Sequence, residues 1–325
     1  MKLTLYPNGY AFISRNIIVQ LNEGLNEIVV EDIPPHIDPH SLMFSFEETS
    51  DVIIRTYEFI NNSETENPTP ILNVVLEALY SGEYAMTFFY KVNKIAYEVF
   101  YNFLYDSIKE TMSMYGWLEV GNYCGNDFKN LELQVVITQS NDNVIFTLDN
   151  IYDIQNGKKV NISFLSKNNV PVKHKFIVPF DKEIAVECIY MNNSDAFKLG
   201  TPLMAGSITL YFQDSDKSLQ HIGDDKIDIY LPGDNIPFEI GRADDLVSVE
   251  RKIVDDANVI TLKNLTQEII EVALEVNTFN QEVQQSNVVL EVDEDGIAEV
   301  VVKIMPLATF QVIYRIRGFE PPSTL

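Results

Sequence analysis

Short runs that alternate apolar and polar residues follow one another along almost the whole chain, and each is closed by Gly, Pro, Asn, Asp or Ser. A period of two places every second side chain on one face, which suits a pleated strand and not a helix. "VLEVDEDGIAEVVV" is the sharpest case: Asp295-Gly296 stands between two alternating runs and predicts a hairpin. "NIIVQLNEGLNEIVVEDIP" predicts two strands hinged at Asn22-Glu23-Gly24 and stopped at Pro34-Pro35. Residues 71–106 hold helix formers such as "NVVLEALY", yet Ser81-Gly82 interrupts them and Val, Tyr and Phe dominate from there to Asp106, so strands are expected there too. The fold class expected is all-β, built of tandem immunoglobulin-like β-sandwich units, mostly antiparallel, with little helix.

Polar punctuation divides the chain into an N-terminal β region (1–65) whose strands are free to pair with later ones, a central sandwich (70–243) and a C-terminal immunoglobulin-like sandwich (244–320). "NNSETENPTP" at 61–70 is the clearest linker, and "PPSTL" reads as a frayed tail. A length of 325 residues allows about two domains with sizeable cores. No repeat of fixed period argues for a solenoid or propeller.

Charge narrows the partners. A net charge of −25 disfavours nucleic acid, which needs a basic field, and disfavours an anionic membrane surface. Copies of the chain should repel one another, so any assembly needs apolar or hydrogen-bonded contacts. Two cysteines, Cys124 and Cys188, read as buried free thiols. The first residues carry no signal-peptide pattern and no stretch reads as a transmembrane segment, so synthesis in the cytoplasm is expected. Four Asn-x-Ser/Thr matches, at Asn61, Asn161, Asn192 and Asn264, are expected by chance in an Asn-rich chain.

Chemistry is sparse. His36, His40, His174 and His221 are scattered, and Pro39 keeps His36 and His40 off a common helix face, so no metal site is expected. "DSDKSLQHIGDD" places Asp214, Asp216 and Ser218 at calcium-loop positions. Leu219 replaces the required glycine and Asp225 the closing glutamate, so a hairpin turn explains the segment better. No nucleophile-elbow, zinc-protease, phosphate-loop or dinucleotide motif is present. The acids sit in turns or face outward along strands. The aromatic run "FFYKVNKIAYEVFYNFLY" reads first as sheet packing and second as a ligand surface.

Several blocks resemble the mucoidy-inhibitor-like family, whose C-terminal part is a domain of unknown function. The most specific is 200–252, with Pro202-Leu203, Gly206, Ile222-Gly223-Asp224 and Gly241-Arg242-Ala243-Asp244-Asp245. A second runs through Gly116-Trp117, Asn122, Gly125 and Asp127-Phe128, with Cys124 where serine is usual. "YEVFY" at 97–101 keeps only the tyrosine, Tyr101, of a Trp-x-Pro-x-Tyr pattern, and residues 3–46 are similar to the family's N-terminal region. The resemblance implies an all-β protein with a C-terminal sandwich and carries over no catalytic residue. The family's leader and helical insertion are not expected in this chain.

A non-enzymatic structural or interaction protein, part of a larger homo- or hetero-oligomeric assembly, is the function expected. A virion component (neck, tail or decoration of a bacterial virus) is one setting, by fold-level analogy. The alternatives are a module that binds carbohydrate or a cell-surface ligand and a hydrolase with unrecognised paired carboxylates. The residues singled out for an interaction or ligand surface are Tyr97, Tyr101, Trp117 and Tyr123. No catalytic, cofactor or metal residue is assigned.

Overall fold

Twenty-two strands and two short 3-10 turns, Pro39–Ser41 and Asp195–Phe197, make up the regular structure in the computed structural model, which describes residues 1–46, 51–60, 70–139, 142–213 and 216–317. The linker at 61–69, the tail from 318 and Asp214 of the calcium-like loop lie outside the described residues. The protein is all-β and sandwich-like, with mostly antiparallel sheets.

The first half supplies β1 (Lys2–Tyr6), β2 (Tyr10–Leu21), β3 (Gly24–Val30), β4 (Met43–Phe46), β5 (Val52–Ile60), β6 (Ile71–Ala78) and β7 (Gly82–Asn93). It continues with β8 (Ile95–Asp106), β9 (Thr111–Asn122), β10 (Phe128–Gln139) and β11 (Asp142–Ile154). The segment at 71–106 is thus β6, β7 and β8. In β6 burial alternates strictly, with Leu72, Val74, Leu76 and Ala78 inward, so burial of that period-2 face outweighs local helix propensity. One six-stranded sheet has the order β11-β10-β1-β2-β7-β4, with β1 and β10 paired in parallel. A three-stranded sheet, β3-β6-β5, packs its inner face on the same core.

The hairpin expected at Asn22-Glu23-Gly24 is overturned. β2 bonds β7 along its whole length and β1 over Tyr10–Ser14, while β3 bonds β6 from Gly24 opposite Ala78. The Gly turn is present, with Gly24 at φ +92, and Asn26 ties it by accepting from Asn22 N at 2.8 Å and donating to Asn22 O at 2.7 Å. It is a corner between two sheets. A turn signal reports local backbone shape and does not say which strand will be the neighbour.

The second half adds β12 (Lys158–Val178), β13 (Val186–Asn192), β14 (Gly206–Gln213), β15 (Leu219–Ile227), β16 (Asn235–Arg242), β17 (Val247–Val254) and β18 (Ala257–Asn264). It ends with β19 (Ile270–Asn277), β20 (Val283–Ser286), β21 (Ile297–Ile304) and β22 (Thr309–Ile316). A central sheet runs β15-β14-β8-β9-β12, and β14 and β15 form the hairpin expected around residues 214–218. The 21-residue β12 is about 70 Å long at roughly 3.3 Å per residue. Its first part pairs with β9, through register shifts at Ser163/Leu165 and Lys167/Val170. Asn169 at φ +53 takes up the second shift. Beyond it the strand pairs with β13 on one side and, in parallel, with β19 on the other.

The buried apolar residues form two clusters, and β12 serves both: Ile162, Leu165, Val170 and Val172 enter the first, Phe176 and Val178 the second. The second core lies between the sheet β17-β18-β22-β20 and the strands β12, β19 and β21. At Asp295-Gly296 the turn forms, with Gly296 at φ +81 and Asp293 N donating to Ile297 O at 2.8 Å. No ladder extends from it: a single bridge joins Val292 to Ala298, and β21 spends its ladder on β19.

Buried asparagines fasten the corners. Asn264, fully buried at the end of β18, donates from Nδ2 to the carbonyls of Glu268 (2.7 Å), Ile304 (3.0 Å) and Met305 (3.1 Å). Its Oδ1 accepts from Thr266 N at 2.8 Å. The sequon match at Asn264 is therefore a structural corner. Asn122, at the end of β9, repeats the device toward Asn126 O and Ile154 O. Asn264→Ala leaves several buried groups unpaired and is expected to cost about 2–3 kcal/mol, read as a lower urea midpoint at unchanged slope.

Candidate interaction surfaces

Strand alternation separates the four aromatic residues singled out in the sequence. On β8, Val99, Tyr101 and Phe103 point into the first core with Tyr97, while Phe100, Asn102 and Leu104 point out. On β9, Gly116 faces in and Trp117 faces out. Trp117 stacks on Phe100 across the strands at 6.5 Å with 15° between planes. Tyr123 follows β9, is 47% exposed and covers Gly121. The four do not form one surface: two face the core, one lies on the opposite face, and one sits beyond the strand end.

Tyr101 is only 1% exposed, so it presents no surface to a partner. Its hydroxyl donates to Met204 O at 2.8 Å and accepts Met204 N–H at 2.9 Å. Burial pushes its ionisation upward, so it stays a neutral phenol that can do both. Gly116 stands opposite it in register, where an added Cβ would lie 3.0 Å from the ring and 2.8 Å from Phe164. Gly206 packs so closely on β8 that a Cβ would lie 2.5 Å from Val99 O. Leu203 bridges to Tyr230. The separated sequence blocks around Tyr101, Gly116 and Pro202–Gly206 thus meet at one clamp that holds β14 beside β8.

Beside the clamp a cleft of about 810 Å³ opens between Tyr97, Val99, Val136, Met204, Gly206 and Ile227. Tyr97 crosses it, its hydroxyl 3.4 Å from Val136 O, and burial pushes its ionisation up to about 12. A larger cleft, about 850 Å³, lies where the two cores approach. There His174 stacks on Tyr105 at 5.7 Å and holds Glu187 Oε1 at 3.2 Å from Nδ1, while its buried Nε2 has no partner. Lys303 and Glu271, 4.0 Å apart, form part of its wall. His36 lies 3.1 Å from Lys94, and His221 3.2 Å from Asp224. Among the described residues no three His, Cys, Asp or Glu side chains converge as a metal would require. Cys124 and Cys188 are free and buried, and burial pushes each thiol up to about 11. Such thiols are poor nucleophiles at neutral pH.

The outer face of the β3-β6-β5 sheet was not singled out in the sequence. Leu25 (71% exposed) on β3 and Ile53 (44%) on β5 flank Glu77 of β6, and Val29 (55%) on β3 lies beside Asn73. Glu27, Glu58 and Glu77 stand between them, and a bulge at Arg55 turns that guanidinium onto Glu77. Alternation marked both faces of these strands as half-apolar, which is the signal that could have found this surface.

The class defined by these observations is an all-β protein with two cores joined by one long strand. A family model described as an N-terminal domain of unknown function, DUF4140, matches residues 3–85. That stretch spans β1 to the first residues of β7 and contains the whole β3-β6-β5 sheet. No curated protein matches the chain. No helix among the described residues is long and apolar enough to cross a membrane.

Proposed function

We propose that this is a non-enzymatic interaction protein that docks into a larger assembly through the outer face of its β3-β6-β5 sheet. The observation that carries the reading is the row of Leu25, Val29 and Ile53, large aliphatic side chains left in solvent on one face of one small sheet. Exposed aliphatics grouped in this way mark an interaction site more often than a bare surface. The net charge of −25 opposes association of like copies, so the contact must be strong enough to overcome it, and an apolar centre is one way to supply that. A virion part is the finer form of this proposal, and it rests on fold-level analogy alone. Kinship with mucoidy-inhibitor-like proteins belongs to the same proposal and rests on the sequence blocks at 97–128 and 200–252.

The test is the native mass of protein from its natural source, by light scattering, beside a Leu25→Lys/Val29→Lys variant. The expected outcome is a defined particle well above 37.1 kDa for the unaltered chain and its loss in the variant, with the thermal midpoint unchanged because both sites are exposed. An unaltered chain that stays at 37.1 kDa with nothing bound would overturn the proposal.

A further inference from the structure

The outer face of the central sheet carries aromatic residues that neither core uses. Phe100, Trp117, Tyr115 and Tyr211 are half-exposed and belong to neither buried cluster. Register places them together. Phe100 stands opposite Trp117 and Asn102 opposite Tyr115, while β14 sets Ser207 beside Phe100 and Thr209 beside Asn102. On the far side β12 sets Ser163 beside Trp117. The result is a broad row of the form hydroxyl, aromatic, aromatic, hydroxyl, with an amide and a phenol in the next row.

Charge is the second observation. Ionisable side chains are dense in this chain, yet the rows through Phe100 and Asn102 carry none across β14, β8 and β9. One row away Lys159 pairs with Glu119 at 2.5 Å, and Glu98 stands opposite Glu119. Asp224, held by His221, closes the β15 side. At the β15 edge Lys226 stands opposite Ser207 and Asp224 opposite Thr209, so a charged ligand meets no field of a single sign here. A purely apolar one would leave Asn102 and Ser163 without partners, which is costly.

We propose that this face binds a neutral carbohydrate chain. A sugar ring has an apolar face of C–H groups and an equatorial rim of hydroxyls. The stacked pair of Phe100 and Trp117 offers the first an aromatic surface, and Ser207, Thr209, Asn102 and Ser163 offer the second donors and acceptors. Tyr115 is already oriented, donating to Asn168 Oδ1 at 2.9 Å. Because the platform is a sheet face, its side chains are held by the ladder beneath and need little ordering on binding.

Trp117 is the chain's single tryptophan, so its emission reports this face alone. The experiment titrates the full chain with soluble neutral polysaccharides (a β-glucan, an α-glucan and a galactomannan). It follows Trp emission and, separately, retardation of the protein in gels containing each polymer. One of these polymers should shift the emission and retard the protein. Phe100→Ala and Trp117→Ala should weaken retardation at least tenfold, Trp117→Phe should restore part of it, and Tyr80→Ala, at an exposed turn elsewhere, should change nothing. Thermal midpoints of all variants show that each is folded. The proposal is overturned by no shift and no retardation with any polymer. Equal retardation of Phe100→Ala and Trp117→Ala, or binding only to an anionic polymer such as alginate, would overturn it as well. Assembly through the β3-β6-β5 sheet stands or falls separately, since Phe100 and Trp117 lie outside that sheet.

Discussion

Tyr101→Ala is expected to destabilise the first core by about 4–6 kcal/mol, and Tyr101→Phe by about 2–3 kcal/mol. The alanine variant loses the transfer energy of a fully buried ring and opens a cavity beside Phe103 and Phe164, whose rings lie 5.6 Å from that of Tyr101. The phenylalanine variant keeps the ring and isolates the clamp, because Met204 N–H and C=O both lose their partner in a buried place. Urea unfolding at neutral pH measures both. A Tyr101→Phe cost under about 0.5 kcal/mol would mean that water reaches Met204 and that the clamp is not what holds β14 to β8. The phenol stays neutral through the whole working range of the measurement, so this cost should not vary between pH 6 and pH 9.

Gly125→Ala is expected to cost about 3–5 kcal/mol from two independent causes. Gly125 sits at φ +101, a conformation a Cβ makes strained, and the added atom would lie 2.3 Å from Pro35 Cγ. Pro35 ends the crossing from the small sheet, so the clash pushes residues 33–35 away from the β9–β10 corner. Asn156 Oδ1 accepts from Gly125 N at 3.0 Å, and Asp127 Oδ1 accepts from Asn156 N at 2.8 Å, so the corner cannot easily yield. Gly157→Ala is the control: its φ is also positive, at +74, but no atom lies within 4 Å of the added Cβ, so strain alone is read there. If both variants lose the same stability, the packing of Pro35 on Gly125 contributes nothing.

The resemblance blocks gain a physical account from these contacts. Gly116, Gly125 and Gly206 are each places where a neighbour occupies the space a Cβ would need. Tyr101 reaches more than a hundred residues along the chain to bond Met204, and Asn122 reaches Ile154. These residues make corners and clamps, and the solvent-facing groups that could meet a partner, Leu25, Val29, Phe100 and Trp117, lie on other faces.

Alternation and turn chemistry were enough to read the all-β class, the strands at 71–106 and the β14–β15 hairpin, because a period of two and a Gly or Asp turn are properties of a few consecutive residues. They also picked out Tyr97, Tyr101, Trp117 and Tyr123 as aromatics worth locating. They could not say that Tyr101 would be sealed in the core while Trp117 faced solvent. A pleat marks two faces but does not say which one another sheet will cover. Neither could they show that the strand after Asn22-Glu23-Gly24 would leave β2 for β6, or that the run before Asp295-Gly296 would make one bridge and no ladder. Pairing across long separations is chosen by which apolar faces can be buried together, and that choice involves the whole chain at once. The same is true of β12: "KVNISFLSK" and "KHKFIVPF" read as two separate strands, and only the packing of two cores on one strand decided that they would be continuous.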